Sequence, residues 1–147
     1  MIGALLLCMI PFEIDERAQG LIDAGTYYPG ARVCESKPHP ALMAMAQKHA
    51  KYQARWMRQG HQNWTKRKRE LHKQIPGYLF KEICAQSWRS DRNKPLHEIG
   101  WSMFKAWAYH PTGGHWGVAS TKHDLYGAGM ALGRNGIWYA CIIVGDK

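Results

Sequence analysis

The sequence predicts an α+β fold or an α/β/α layered domain, with an antiparallel hairpin in its sheet. Two helical patterns lead to this expectation, one starting at Pro40 and one at Leu96. Two apolar segments near the C-terminus follow them and have the pattern of an antiparallel hairpin. Apolar residues make up 46% of the 147 positions, which is enough for a folded core in a chain of this length.

The first helix is predicted from Pro40 to about Gln59. Its inward positions recur at the i, i+3, i+4 spacing of an amphipathic helix, and they are Leu42, Met45, Ala46, His49, Tyr52, Gln53 and Trp56. Pro40 suits the first turn of a helix, and Gly60 is the residue type that commonly ends one.

The middle of the chain gives weaker signals. TKRKRELHKQ, residues 65–74, predicts a loop or a helical turn, and GYLFKEICAQSW, residues 77–88, predicts a short helix or a strand. The second helix is predicted from Leu96 to Tyr109, since Ile99, Met103, Ala106 and Trp107 share one side.

The end of the chain predicts a hairpin, because DLYGAGMAL and IWYACIIVG are joined by the turn GRNG. Residues 37–147 are expected to form the domain, with residues 1–36 as an N-terminal extension or docking segment. MIGALLLCMI is too short to span a bilayer and lacks a basic start, so it predicts a buried strand or docking segment rather than a signal peptide. No other segment has the pattern of a transmembrane helix.

Positive charge is concentrated in one segment. The chain carries a formal charge of +9, and residues 48–73 hold nine Lys and Arg against Glu70 alone. Such a segment favours polyanions, namely nucleic acid, teichoic acid or anionic lipid, although a solvated helix face has the same composition. The candidate polyanion-binding residues are Lys66, Arg67, Lys68 and Arg69.

The four cysteines, Cys8, Cys34, Cys84 and Cys141, form no CxxC pair. They therefore lack zinc-finger spacing, and their mostly apolar neighbours favour buried free thiols over a disulfide framework. A bridge between Cys84 and Cys141 is the alternative. No cysteine is expected in a polar setting that would activate it as a nucleophile.

Four polar residues at the ends or breaks of apolar segments are candidates for chemistry: His61, Glu82, His110 and His115. Histidine and carboxylate together can bind a divalent cation or transfer protons near neutral pH. No local motif such as HExxH links them, and a histidine taken alone is more often a surface or hydrogen-bonded core residue than part of a site.

The order of these segments resembles the CAP superfamily, the cysteine-rich secretory, antigen 5 and pathogenesis-related group, and most of all its short bacterial and phage-type members. HPALMAMAQKHAKYQARWMRQGH resembles the first long helix with its site histidine, His61. KEICAQSW resembles the Gly-Glu-Asn segment with Glu82, and WAYHPTGGHW resembles the segment that carries the second site histidine, His115. LYGAGMALGRNGIWYACIIVG resembles the closing strands.

The resemblance implies an α/β/α sandwich with an antiparallel sheet and a cleft lined by His61, Glu82, His110 and His115. It also implies that the two histidines His61 and His115 can hold a divalent metal. The chain departs from the family at Lys81, Ile83 and His110, where the family has Gly, Asn and usually Glu. Since His110 replaces a carboxylate, the site favours zinc, nickel or copper over calcium. Trp116 is the tryptophan expected to line the cleft and contact a substrate.

Three functions follow from these observations. The first is a CAP-like binding or structural module that acts outside the cell or on a virion, with an anionic surface, a cell-envelope component or other virion proteins as partners. The second is a metal-dependent hydrolase of peptide, peptidoglycan or nucleic acid, with Glu82 and His110 as catalytic residues. The third is nucleic-acid binding through residues 48–73.

Overall fold

The structure is a computed structural model that describes residues 12–109 and 114–147. The predictions made for the apolar segment 1–10, for Cys8 and for His110 lie outside these residues. In the described part of the chain, five α-helices are present: α1 (Glu16–Tyr27), α2 (Pro40–Trp56), α3 (Trp64–Gln74), α4 (Leu96–Tyr109) and α5 (His115–Ala119). Two 3-10 turns, Val33–Glu35 and Arg89–Asp91, lie between them.

One four-stranded sheet joins β1 (Lys37–Pro38), β2 (Leu79–Gln86), β3 (Leu125–Leu132) and β4 (Trp138–Asp146) in the order β1-β3-β4-β2. The β3–β4 hairpin and the β2–β4 pair are antiparallel, as predicted for the hairpin. The two-residue β1 pairs parallel with β3, so the sheet is mixed and the expectation of a purely antiparallel sheet was wrong. A pairing of two residues leaves no periodic pattern in the sequence.

Helices cover both faces of the sheet. Alternation along β2 sends Phe80 and Cys84 to the face covered by α2 and α3, while Ile83 and Ala85 face α1 and α4. The fold class is therefore α+β, as predicted, and two separate apolar cores flank the central sheet.

Helix α2 lies directly on β3 because two glycines allow close approach. A Cβ atom at Gly127 would fall 2.1 Å from the backbone carbon of Leu42, and one at Gly129 would fall 2.4 Å from the Cα of Gln47. The helix begins as predicted, with Pro40 in its first turn and the Nδ1 of His39 accepting a hydrogen bond from the backbone N–H of Ala41 at 3.1 Å.

Helix α2 ends earlier than predicted. Its last residue is Trp56, and Met57 adopts the left-handed conformation with φ 52° and ψ 44°, so Gly60 does not end it. Residues 65–74, predicted as a loop or a helical turn, lie within the 11-residue helix α3, and residues 79–86 form a strand. Helix α4 has the predicted bounds.

Helix α1 packs alongside α4 through small residues. A Cβ atom added at Gly20 would collide with Leu96, one at Gly25 with Phe104, and one at Gly100 with Leu21 and Ala24. Leu21, Ile22 and Ala24 are buried in the same core as Ile142 and Val144 of β4. Residues 16–27 thus contribute to the core that covers one face of the sheet.

Candidate functional site

A buried carboxylate, Glu82, occupies the centre of a polar cluster between the sheet and helices α2 and α3. Its side chain is 1% exposed. The Nδ1 of His61 donates to Oε1 at 2.9 Å, and the guanidinium of Arg67 donates to both carboxylate oxygens. The fold therefore brings His61 and Arg67 to Glu82 from 21 and 15 positions earlier in the sequence, although no local motif links them.

The α2–α3 connection and the first turn of α3 position His61 and Arg67, the two partners of Glu82. His61 lies in this connection, and Arg67 lies one turn into α3, on the side that also carries the buried Leu71. The Nε and Nη2 atoms of Arg67 donate to the carbonyl of Gln62 at 3.1 and 2.9 Å, which holds the guanidinium against Glu82. One arginine of the basic segment is thereby turned into the interior.

Two thiols lie beside the carboxylate. Cys84 follows Glu82 by two residues on β2 and so shares its face, and Cys141 is its register partner on β4. The Sγ of Cys84 lies 3.6 Å from Oε1 of Glu82, and the Sγ of Cys141 lies 3.5 Å from Oε2. Both are free and buried, as predicted, and no bridge joins them.

His49 of α2 completes the cluster. Its side chain is 1% exposed, and its Nε2 lies 3.7 Å from Oε1 of Glu82. The same nitrogen donates to the carbonyl of Gly60 at 2.7 Å, which ties the middle of the α2–α3 connection to helix α2.

The charges in the cluster compensate one another. Burial raises the pKa of Glu82, but the hydrogen bonds from Arg67 and His61 outweigh it and lower that pKa to about 2. Hydrogen bonds from His61 to Cys84 and Glu82 raise the pKa of the imidazole to about 10. The carboxylate is thus ionised and the imidazole protonated at neutral pH.

The two thiols differ in acidity. A hydrogen bond from Cys141 lowers the pKa of Cys84, and His49 and His61 lower it further against the effect of burial. Burial raises the pKa of Cys141, and the neighbouring Cys84 raises it too. The expectation that no cysteine has a polar, activating setting was wrong for Cys84, because the polar groups reach it across the fold and not from its sequence neighbours.

Ligand-type atoms of His49, Glu82 and Cys84 all lie within 4.8 Å of one another, so this group could hold a metal ion. Imidazole, carboxylate and thiolate are the ligands that zinc takes in proteins, whereas calcium requires oxygen ligands. The chemistry of these residues therefore fits a soft or borderline divalent ion.

Of the residues predicted for the cleft, His61 and Glu82 come together. They line a surface depression with Lys81, and Gly114 and Val118 from around α5 line it too. The depression leaves the His61 side chain 45% exposed, so it opens the cluster to solvent.

Two further residues predicted for the cleft, His115 and Trp116, lie in α5. His115 is the first residue of α5 and is partly exposed. Trp116 packs against Tyr28 at the end of α1, with ring centroids 5.9 Å apart, and closely approaches Gly30. The indole ring is therefore held in the aromatic packing of the α1 and α4 side.

The four candidate polyanion-binding residues separate into two groups. Lys66 and Arg69 are exposed on α3 and Lys68 is partly exposed. Arg67 has its guanidinium in the buried cluster, where Glu82 neutralises it.

Sequence reasoning missed the contributions of His49, Arg67, Cys84 and Cys141 to the cluster. A signal existed for one of them, because Cys84 stands two residues after Glu82 in a segment that could form a strand. The approach of Arg67 and Cys141 depends on strand register and on the rotation of α3, which only the fold supplies.

No protein-family model matches the chain, and no curated protein matches it significantly. Among the described residues, no helix combines the length and the apolar character needed to cross a membrane.

Proposed function

We propose that the protein is a non-catalytic binding module of the CAP type that holds one zinc ion in the cluster around Glu82. In this proposal it works outside the cell or on a virion, as the resemblance to short bacterial and phage-type members implies. The observation that carries the proposal is the grouping of His49, Glu82 and Cys84 within 4.8 Å, with a second thiol beside them.

Three of the ligands would be His49, Glu82 and Cys84, and we propose Cys141 as the fourth because its Sγ also lies next to the carboxylate. The Sγ of Cys84 and the Nε2 of His49 lie 3.6 and 3.7 Å from Oε1 of Glu82, and the Sγ of Cys141 lies 3.5 Å from Oε2. Bonds of about 2.0 to 2.3 Å at tetrahedral angles separate neighbouring ligand atoms by about 3.3 to 3.8 Å. His49 would exchange its hydrogen bond to Gly60 for the ion.

Charge compensation supports the same ligand set. Two thiolates and one carboxylate carry three negative charges, while a divalent ion, Arg67 and the protonated His61 carry four positive charges. Because the His61 side chain is 45% exposed, water shares in solvating its charge, and the buried charges of the ligands, the ion and Arg67 cancel. An acidified thiol such as Cys84 also releases its proton to a metal more readily than an ordinary thiol does.

The hydrolase alternative has less support, because it requires Glu82 as a general base. An efficient base has a pKa near the working pH, whereas Glu82 has a pKa of about 2. Both of its oxygens also accept hydrogen bonds from Arg67. The carboxylate is thus better suited to hold charges in place than to take a proton.

The test is the metal content of protein purified without a histidine tag, measured by mass spectrometry. We expect about one zinc per chain in the wild type. The control variant Cys34→Ser should keep its zinc, because Cys34 is a free cysteine outside the cluster. We expect zinc to be lost in Cys84→Ser and in Cys141→Ser. Cobalt substitution should give a thiolate-to-cobalt charge-transfer band that either cluster variant removes.

Two outcomes would contradict the proposal. If the wild type contains no metal after growth with added zinc, the cluster is not a zinc site. Zinc that is retained in Cys84→Ser but lost in His115→Ala would move the ion to His61 and His115, the pair that the resemblance implies.

A further inference from the structure

A groove of about 390 Å³ runs between α2 and α3, on the outer surface of the domain. Small and flexible apolar residues, Ala41, Ala44 and Met45, form its α2 wall. Three amide side chains, Gln62, Asn63 and Gln74, line the side of α3 and the connection before it. The groove thus offers an apolar surface and several hydrogen-bonding groups to one ligand.

Two exposed lysines line the groove. They are Lys48 and Lys66, whereas Arg67 is engaged with Glu82. Glu70 is the acidic residue among the groove's lining residues. Residues 48–73, which contribute to both walls, carry nine of the chain's Lys and Arg. The groove therefore attracts an anionic ligand.

Exposed aromatic rings extend from the groove along α2. Tyr52 lines the groove and is 38% exposed, and Trp56 is one helical turn further and 59% exposed. Their ring centroids lie 6.3 Å apart, and the guanidinium of Arg55 lies 5.6 Å from the Trp56 ring. Exposed rings beside cations are the arrangement on which unpaired bases stack.

An amide oxygen in the groove wall lacks a partner. The Nε2 of Gln62 donates to the carbonyl of Arg58 at 3.1 Å, while its Oε1 is buried with no hydrogen-bond partner among the described residues. A buried acceptor without a donor is costly, and a donor from a ligand would satisfy it once the side chain turns outward. The amino and imino groups on a base edge are donors of this kind.

We propose that the α2–α3 groove binds single-stranded nucleic acid, with Tyr52 and Trp56 stacking on bases while Lys48 and Lys66 hold phosphates. Duplex fits less well, since its bases cannot stack on side chains. An anionic polymer without bases would use the lysines and leave the rings and amides without a role. His49 and Arg67 of the zinc cluster also line the groove, but the inference assigns them no contact with nucleic acid and uses none of the thiols or Glu82.

The test is fluorescence anisotropy of a labelled oligothymidylate at several salt concentrations. Lys48→Gln with Lys66→Gln should weaken binding and lower the slope of log affinity against log salt by about 0.7 for each lysine. Tyr52→Leu and Trp56→Leu should each weaken binding about tenfold without changing that slope, because stacking carries no net charge. Matched controls are Lys105→Gln and Trp88→Leu, two exposed residues outside the groove.

Three results would overturn the inference, provided that circular dichroism shows folded variants. The first is no binding near physiological ionic strength. The second is equal binding of heparin, with no effect of Tyr52→Leu or Trp56→Leu, since this would indicate a surface that recognises charge alone. The third is tighter binding to vesicles of anionic lipid than to the oligonucleotide, which would indicate a membrane surface.

Discussion

At the scale of single residues, Glu82 makes the metal-free protein sensitive to acid. Its folded pKa of about 2 lies below the ordinary 4.5, which linkage converts to about 3 kcal/mol of stability. Since the folded value is the lower one, this contribution is complete above about pH 4.5 and is lost as the pH falls towards 2. In urea unfolding with a chelator present, Glu82→Gln should therefore cost about 3 kcal/mol at neutral pH and little near pH 2.

The matched control is Glu98→Gln, which changes an exposed glutamate on α4 and should have little effect at either pH. An equal cost of Glu82→Gln at both pH values would mean that the substitution acts through packing and not through the ion pairs to Arg67 and His61.

The sequence predicted part of this cluster. His61 and Glu82 could be predicted as site residues for two reasons. Histidine and carboxylate side chains at the ends of apolar segments are common in metal and catalytic sites, and the order of the segments resembled that of the CAP superfamily. Arg67 could not be separated from Lys66, Lys68 and Arg69, since the four are consecutive. Which of them turns inward depends on the angle at which α3 meets the sheet, and Leu71 fixes that angle by being buried on the same side.

At the scale of elements, the end of α2 has a residue poorly suited to its conformation. Met57 has φ 52°, a value that costs little for glycine but disfavours side chains with a Cβ atom. Met57 is 37% exposed and belongs to neither apolar core, so its loss removes no core packing. Met57→Gly should therefore stabilise the protein by about 0.5 to 1 kcal/mol, seen as a rise of about 2 °C in the thermal midpoint.

Arg58→Gly provides the comparison, because Arg58 is also exposed but does not have a positive φ. This variant should lower the thermal midpoint through the added freedom of the unfolded chain. A midpoint that falls in Met57→Gly as well would show that the left-handed residue is not strained.

Elements with strong local patterns were predicted correctly. Helix α4 and the hairpin have periodic apolar residues and a turn sequence that act within a few positions. Helix α3 was not identified as a helix because Trp64 and Leu71 are its only large apolar residues, and its stability depends on packing against Phe80 and Ile75 in the α2 side core. Strand β1 exists because β3 lies beside it, which no local pattern encodes.

At the scale of the whole molecule, the layers are held together where α2 meets β3 with no side chain between the two backbones. This contact sets the depth of His49 over the sheet and therefore its distance from Glu82. The glycines of GAGM were recognised only as part of a strand, since a sequence does not reveal which helix will cover them. Their spacing of two places both on the same face, beneath α2.

Gly127→Ala tests this contact. The new Cβ atom would fall 2.1 Å from the carbonyl carbon of Leu42 and 2.3 Å from the backbone nitrogen of Met43, and backbone atoms cannot move aside as a flexible side chain can. Helix α2 would have to lift from the sheet, so we expect a loss of about 3 kcal/mol or more in urea unfolding. Gly117→Ala is the matched control, since a Cβ atom there meets nothing within 4 Å and a helical alanine is favoured over glycine. Should both variants be equally stable, the close approach of α2 to β3 would not be what holds the layers together.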